Sequence, residues 1–173
     1  IRYIKQHYPQ VEVHLSTQAS TMNYEAALFY KSMGVDRIVL ARELSRDEIK
    51  EINYKASIDI EVFIHGAMCT CVSGRCSLSN YVTNRDANRG ICAQDCRWNY
   101  KVIAEGHEEK GAHDVVEEGE QTFIFNAKDL CTIEFIDKII EAGVDSLKIE
   151  GRMKSIYYNS TVVKQYRHAL DSY

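Results

Sequence analysis

Apolar runs of strand composition alternate with helical patterns along this chain, and that alternation limits the folds open to it. VEVHLST (11–17), RIVLA (37–41), IEVFIHG (60–66), TFIFN (122–126) and SLKIEG (146–151) have the length and apolar, β-branched content of buried strands. A helix is expected between Asn23, an amide suited to an N-cap, and Gly34, a natural stop. Ser45 and Glu48 have the S-x-x-E spacing of a capping box, which predicts a helix reaching about Ala56. Ile133, Ile136, Ile139 and Ile140 share a helical face that ends at Gly143. A last helix carries Val162, Val163, Tyr166, Ala169 and Leu170 on one stripe. The segment 106–121, rich in Glu, Gly and His, reads as an exposed hairpin or loop.

Strand-then-helix order argues for an α/β fold with a parallel sheet. No G-x-G-x-x-G follows any strand, so the dinucleotide-binding version has no support. A complete (β/α)8 barrel takes about 250 residues, and this chain has 173. The expectation is therefore the C-terminal portion of a (β/α)8 TIM-like barrel with a cysteine-rich loop region. It is expected as a single domain over 1–173, a fragment lacking the first barrel units, since the chain begins at Ile1 rather than Met. A net charge of −4 gives no global electrostatic footprint for nucleic acid. No apolar run reaches the length of a membrane span, so no membrane partner is expected.

The carboxyl ends of parallel strands are where α/β folds bind ligands. Here they read Ser16-Thr17-Gln18, Arg42-Glu43, His65, Asn126 with Lys128-Asp129, and Lys148, Glu150 and Arg152. Any one of these could be a helix cap or surface charge, and Glu150 could simply pair with Arg152. Together they suit an anionic or strongly hydrogen-bonding substrate. His65, Lys148, Glu150 and Arg152 are the candidate catalytic groups, and Arg42, Asn126 and Lys128 candidate substrate contacts.

The six cysteines are Cys69, Cys71, Cys76, Cys92, Cys96 and Cys131, with five of them between 69 and 96. Disulfide-dense scaffolds are usually short and poor in regular structure, so a reducing, cytoplasmic compartment fits better. Zinc would use Cys92/Cys96 as one knuckle and Cys71/Cys76 as a looser one. A catalytic cysteine would need a base, and His65 is four residues from Cys69. An iron–sulfur cluster needs four thiolates and tolerates irregular spacing. Cys131 is expected at a helix start, where thiolate charge is stabilised. Around these cysteines the chain turns locally basic at Arg75, Arg85, Arg89, Arg97 and Lys101, with Trp98 and Tyr100 among them. Such a mixture suits an unstacked base and its phosphates; alternatively, Trp98 and Tyr100 are core residues of a strand.

EVFIHGAMCTCVSGRCSLSNY (61–81) resembles the signature of the peptidase U32 family, the collagenase-like proteases. RDANRGICAQDCRWNY (85–100), NAKDLC (126–131) and SLKIEGRMKSIYYNSTVVKQYRHALD (146–171) are similar to its later blocks. The family name implies proteolysis of a peptide substrate. Several branches instead resemble oxygen-independent hydroxylation proteins with a [4Fe–4S] cluster, acting on wobble uridine in tRNA, on ribosomal RNA or on a quinone precursor. The block SNYVTNRDANRG is most similar to the tRNA branch, in which prephenate is implicated as co-substrate. By position the resemblance implies Cys69, Cys76, Cys92 and Cys131 as cluster ligands, Cys96 as an ambiguous fifth metal ligand and Cys71 as a passenger. Zinc is the lesser alternative. Arg85, Arg89 and Arg97 become candidate RNA contacts. No G-x-S-x-G or H-E-x-x-H supports a peptidase.

Overall fold

The computed structural model describes residues 1–98 and 129–173, together with the short strands 101–102 and 113–114. The expected strand 122–126, Asn126, Lys128 and Tyr100 lie outside the described residues. In chain order the elements are α1 (Arg2–His7), β1 (His14–Leu15), α2 (Tyr24–Ser32), β2 (Arg37–Val39), α3 (Arg46–Ala56), β3 (Asp59–Ala67), α4 (Leu78–Thr83), β4 (Lys101–Val102), β5 (His113–Asp114), β6 (Asp129–Cys131), α5 (Ile136–Glu141), β7 (Ser146–Ile149) and α6 (Ile156–Asp171). They form two compact units, one of Ile1–Arg75 with Asp129–Tyr173 and one of Cys76–Lys128. Among the described residues no helix is long and apolar enough to cross a membrane.

The first unit is an α/β unit with a mixed sheet. β1, β2 and β3 run parallel in that order, and β7 runs parallel to β3 from Glu61 to His65. β6 is antiparallel, with His65 opposite Cys131 and Ala67 opposite Asp129. Its position has a simple cause. β2 covers β3 only over Asp59–Glu61, and the amides and carbonyls beyond need partners. Asp129–Cys131 supplies them for residues 65–67. Cys131 is thus a strand residue and not at a helix start, as its sequence context predicts. Thr132 and a 3-10 turn over Ile133–Phe135 separate it from α5, so the helix-terminus argument for its thiolate does not apply.

β3 organises the core. Ile60, Val62 and Ile64 are buried, while Glu61, Phe63 and His65 between them are only partly covered. The buried set joins Ile49, Ile52 and Ala56 of α3, Ile136 and Ile139 of α5 and Tyr166 of α6 in one cluster. The expected caps are present. Asn23 Oδ1 accepts the Ala26 amide at 2.8 Å, and Ser45 with Glu48 closes a complete capping box. On α6 the stripe is narrower than the sequence predicts. Tyr166 is buried and Val162, Ala169 and Leu170 pack partly against the core, whereas Val163 faces outward, 53% exposed. A residue one position along a helix is turned by about 100°, enough to leave the buried face.

In the second unit β4 and β5 pair antiparallel, Lys101 with Asp114 and Val102 with His113; apart from 113–114, the segment 106–121 expected as a hairpin or loop lies outside the described residues. α4 and a turn over Asp95–Arg97 pack together around buried Ser79 and Asp95.

Candidate functional site

Because β1, β2, β3 and β7 are parallel, their loaded carboxyl ends lie toward one end of the sheet. Ser16 proves to be a cap, its Oγ accepting the Gln18 amide at 3.2 Å. Arg42, just beyond β2, is different. Its guanidinium lies 3.9 Å from the centre of the Phe63 ring, and one of its terminal nitrogens donates to the Ala67 carbonyl at 3.3 Å. Burial lowers its pKa from the ordinary value, while Cys69, Glu150 and Glu43 pull it back up. Its Nε is buried and makes no hydrogen bond among the described residues, and the same is true of Glu150 Oε2. The other Glu150 oxygen accepts the Arg152 amide at 3.1 Å; Arg152 is exposed.

Lys148 is held by a residue that sequence reasoning did not single out. Its Nζ is 2.8 Å from Glu61 Oε1, and Ser146 Oγ donates to the other Glu61 oxygen at 3.2 Å. The signal was there in the strand IEVF, where a carboxylate alternates with buried residues. Burial alone would raise the Glu61 pKa, but the Lys148 ammonium, Ser146 and Arg37 together hold it below the usual carboxylate value. A depressed carboxylate pKa stabilises the fold above the unfolded-state value, about 4.3 for Glu, and that stability is lost as pH falls through the folded value. The urea midpoint of the unsubstituted protein should therefore drop more steeply below roughly pH 5 than that of Glu61→Gln. Parallel curves for the two would show that the ion pair adds nothing.

Arg42 and Phe63 also line a cavity of about 550 Å³, together with Arg46, Met68, Phe135 and Lys138. That volume suits a small organic molecule.

His65 sits at the end of β3 in a ring of partners. Its Nδ1 is 3.3 Å from the Tyr166 hydroxyl, and the Tyr158 and Tyr166 rings lie 5.8 and 5.5 Å from the imidazole. The Tyr166 hydroxyl donates to the Ile64 carbonyl at 2.8 Å and accepts the Thr132 amide at 3.0 Å. Tyr166 and Thr132 were legible from sequence only as core or loop positions. Burial holds the His65 pKa below the usual histidine value; Asp129 opposes this and Lys154 reinforces it.

The loop from Cys69 to Arg75 is tied down from outside. Ser73, buried with φ 49°, donates its amide to Glu43 Oε1 at 2.5 Å. Arg75 Nε donates to the Gln18 carbonyl at 2.8 Å. In the second unit Asn88 clamps Cys76 through both backbone groups, at 3.2 and 2.9 Å. The Gln94 amide donates to Cys92 Sγ at 3.2 Å. Arg85 holds the same loop by donating to the carbonyls of Ile91 and Cys92 at 3.0 and 3.4 Å. Arg89 pairs with Asp86 and is 84% exposed. Arg97 lies in the Asp95–Arg97 turn, and Trp98 is exposed rather than part of a strand core.

None of the six cysteines is joined in a disulfide. Cys69 and Cys131 belong to the first unit, and Cys76, Cys92 and Cys96 to the second. Among the described residues no three His, Cys, Asp or Glu side chains gather as a metal-holding group. The donor chemistry nevertheless fits an iron–sulfur group: no disulfide ties up the sulfurs, and an amide N–H already points at Cys92 Sγ, as in hydrogen-bonded cluster thiolates.

The sequence profile of peptidase family U32 matches residues 1–173. The chain belongs to peptidase family U32. Among relatives in the family, the tRNA hydroxylation protein P1 of Bacillus subtilis (strain 168) is 55% identical over 95% of this chain. The collagenase of Porphyromonas gingivalis (strain ATCC BAA-308 / W83) is 42% identical over 94% of it. The 23S rRNA 5-hydroxycytidine C2501 synthase of Escherichia coli (strain K12) is 39% identical over 95% of it. The chain spans 39%, 40% and 24% of these three relatives. No solved structure matches it.

Proposed function

We propose that this chain is part of an iron–sulfur protein that hydroxylates RNA without molecular oxygen, forming 5-hydroxyuridine at the wobble position of tRNA. The observation that carries the reading is 55% identity to a relative named tRNA hydroxylation protein P1. The relative named as a 23S rRNA 5-hydroxycytidine synthase supports RNA as the wider substrate class. On this reading the parallel strands are the later units of a TIM-like barrel and the protein works in the cytoplasm.

Cys69, Cys76, Cys92 and Cys131 would hold a [4Fe–4S] cluster, with Cys96 the fifth candidate and zinc the lesser alternative. When bound, the cluster supplies a one-electron centre. The remaining work falls to this chain's own side chains. Arg42 and Lys138 bring positive charge to the cavity, where Arg46 is paired with Asp47 at 3.0 Å, and Phe63 and Phe135 give it an aromatic wall. That combination suits a small anionic co-substrate with an unsaturated ring, the role proposed for prephenate. The Arg42 guanidinium, whose Nε makes no hydrogen bond among the described residues, would take up an anionic group of it. Lys148, fixed by Glu61, adds a second cation near the Phe63 ring, 5.4 Å away. On the second unit, exposed Trp98 and Arg89 offer stacking and charge to a splayed base and its phosphates.

The test is to delete the gene for the full-length parent and any paralogue, then quantify tRNA nucleosides by mass spectrometry. Hydroxyuridine derivatives should disappear and return on complementation. Unchanged levels would remove the tRNA reading. A peptidase is the second reading, favoured by the relative named collagenase and by Cys131 standing opposite His65 in the sheet. Its signature would be peptide cleavage by metal-free protein, abolished by one substitution at His65 or Cys69.

A further inference from the structure

We propose that Glu43 is a positioning residue: its carboxylate closes the Cys69–Arg75 loop against the carboxyl end of β2, so that Cys69 is placed before any iron binds. Ser73, four residues after Cys69, is fully buried and left-handed at φ 49° and ψ 29°. A residue with a Cβ keeps that conformation only where its surroundings hold it. A buried amide also needs an acceptor. Glu43 Oε1 accepts the Ser73 amide at 2.5 Å, and no other acceptor serves that amide among the described residues. The direction is fixed by chemistry, because an amide can only donate.

The other side of the loop is held by the neighbouring residue. Arg42 donates a terminal nitrogen to the Ala67 carbonyl at 3.3 Å. Two consecutive residues therefore grip Ala67 and Ser73, with Cys69 between the two grips. A loose chain from 67 to 73 could reach roughly 20 Å, whereas consecutive Cα atoms are about 3.8 Å apart. The loop is thus closed on itself at its base, and Cys69 loses most of its freedom to swing. The grip stands on a firm strand end. The Leu40 amide donates to the Glu61 carbonyl at 2.9 Å and the Ala41 amide to the Thr21 carbonyl at 3.2 Å, and both residues are buried. Beyond Ser73 the loop tightens on itself, with the Gly74 amide on the Cys71 carbonyl at 3.1 Å and the Arg75 amide on the Val72 carbonyl at 3.0 Å. Arg75 Nε then fastens it to the Gln18 carbonyl at 2.8 Å. A ligand held in place beforehand loses less freedom when metal binds, and partners outside the ligand shell tune metal affinity in this way. The inference rests on the cluster reading above and deepens it by naming what places one of the four thiols.

The test uses the full-length parent in two forms. In the metal-free form, amide hydrogen exchange over 68–75 measures the closure of the loop. In the form loaded anaerobically, the rate of iron release to a chelator measures its effect on the ligand. Glu43→Ala should speed both about tenfold, the lower end of what partners outside a ligand shell are worth, while the Ile60–Ile64 amides of β3 stay protected. Glu43→Gln keeps an acceptor oxygen at the same reach and should restore both rates. That rescue separates a hydrogen-bond acceptor from a charge beside Arg42, and a Glu43→Gln that behaves like Glu43→Ala overturns the proposal. Unchanged exchange in Glu43→Ala removes the clamp, and faster exchange with unchanged iron release removes its positioning role. A parent that never holds iron overturns the cluster reading and this role with it, whereas a loaded parent indifferent to Glu43 overturns the role alone. Should Glu43→Ala not fold, Glu43→Asp, one carbon too short to reach Ser73, replaces it with the same expectations.

Discussion

Iron content should collapse when serine replaces any one of Cys69, Cys76, Cys92 or Cys131, and should survive Cys71→Ser. Changes confined to the outer sphere of a metal site already cost roughly 10–100-fold in affinity, and loss of a ligand should cost more. The protein to use is the full-length parent, purified anaerobically, brown when loaded, with iron measured per chain. Cys71 has a structural task that serine can share: its backbone carbonyl accepts the Gly74 amide at 3.1 Å. Cys96→Ser decides whether the fifth thiol ligates. Equal iron loss in Cys71→Ser, with full retention in Cys131→Ser, would overturn this ligand set. A colourless protein holding zinc in the same cysteines would keep the set and change the metal.

Strand and helix positions in the first unit were legible because each has a local cause. Ile60, Val62 and Ile64 alternate with polar or half-covered neighbours, and Asn23, Ser45 and Glu48 mark helix starts by hydrogen bonds within a few residues. β6 was not legible. Three residues, DLC, carry no periodicity, and what makes them a strand is the free stretch of β3 at residues 65–67. The site divides the same way. His65, Arg42 and Lys148 stood out as polar residues at strand ends. Glu61, Thr132 and Tyr166 did not, because their roles come from partners 87, 68 and 101 positions away. Arg85, a candidate RNA contact in the sequence, donates to the carbonyls of Ile91 and Cys92, and Ser16, one of the polar strand ends, accepts a turn amide.

Gly66→Ala should be far more damaging than Gly34→Ala, although both glycines have positive φ, 105° and 89°. Gly34 follows α2, and a methyl group there would meet only the flexible side chain of Lys5, at 3.0 Å. Its cost should be about 1 kcal/mol, that of a left-handed residue with a Cβ. At Gly66 the same methyl would collide with the backbone carbonyl of Glu150. That carbonyl belongs to a segment pinned by the Glu150 amide donating to the His65 carbonyl at 2.8 Å. Relief requires β3 and β7 to part where they frame the candidate site. Strain at a position open only to glycine adds about 1–3 kcal/mol, and the backbone clash comes on top, so a loss of about 3 kcal/mol or more is expected. Urea unfolding of the two variants measures the difference. Similar costs for both would mean that the strands have room at Gly66. The close approach also explains the glycine in HGAMC physically: β3 carries His65 past β7 with no space for a side chain, and the chain then turns into the loop that holds Cys69.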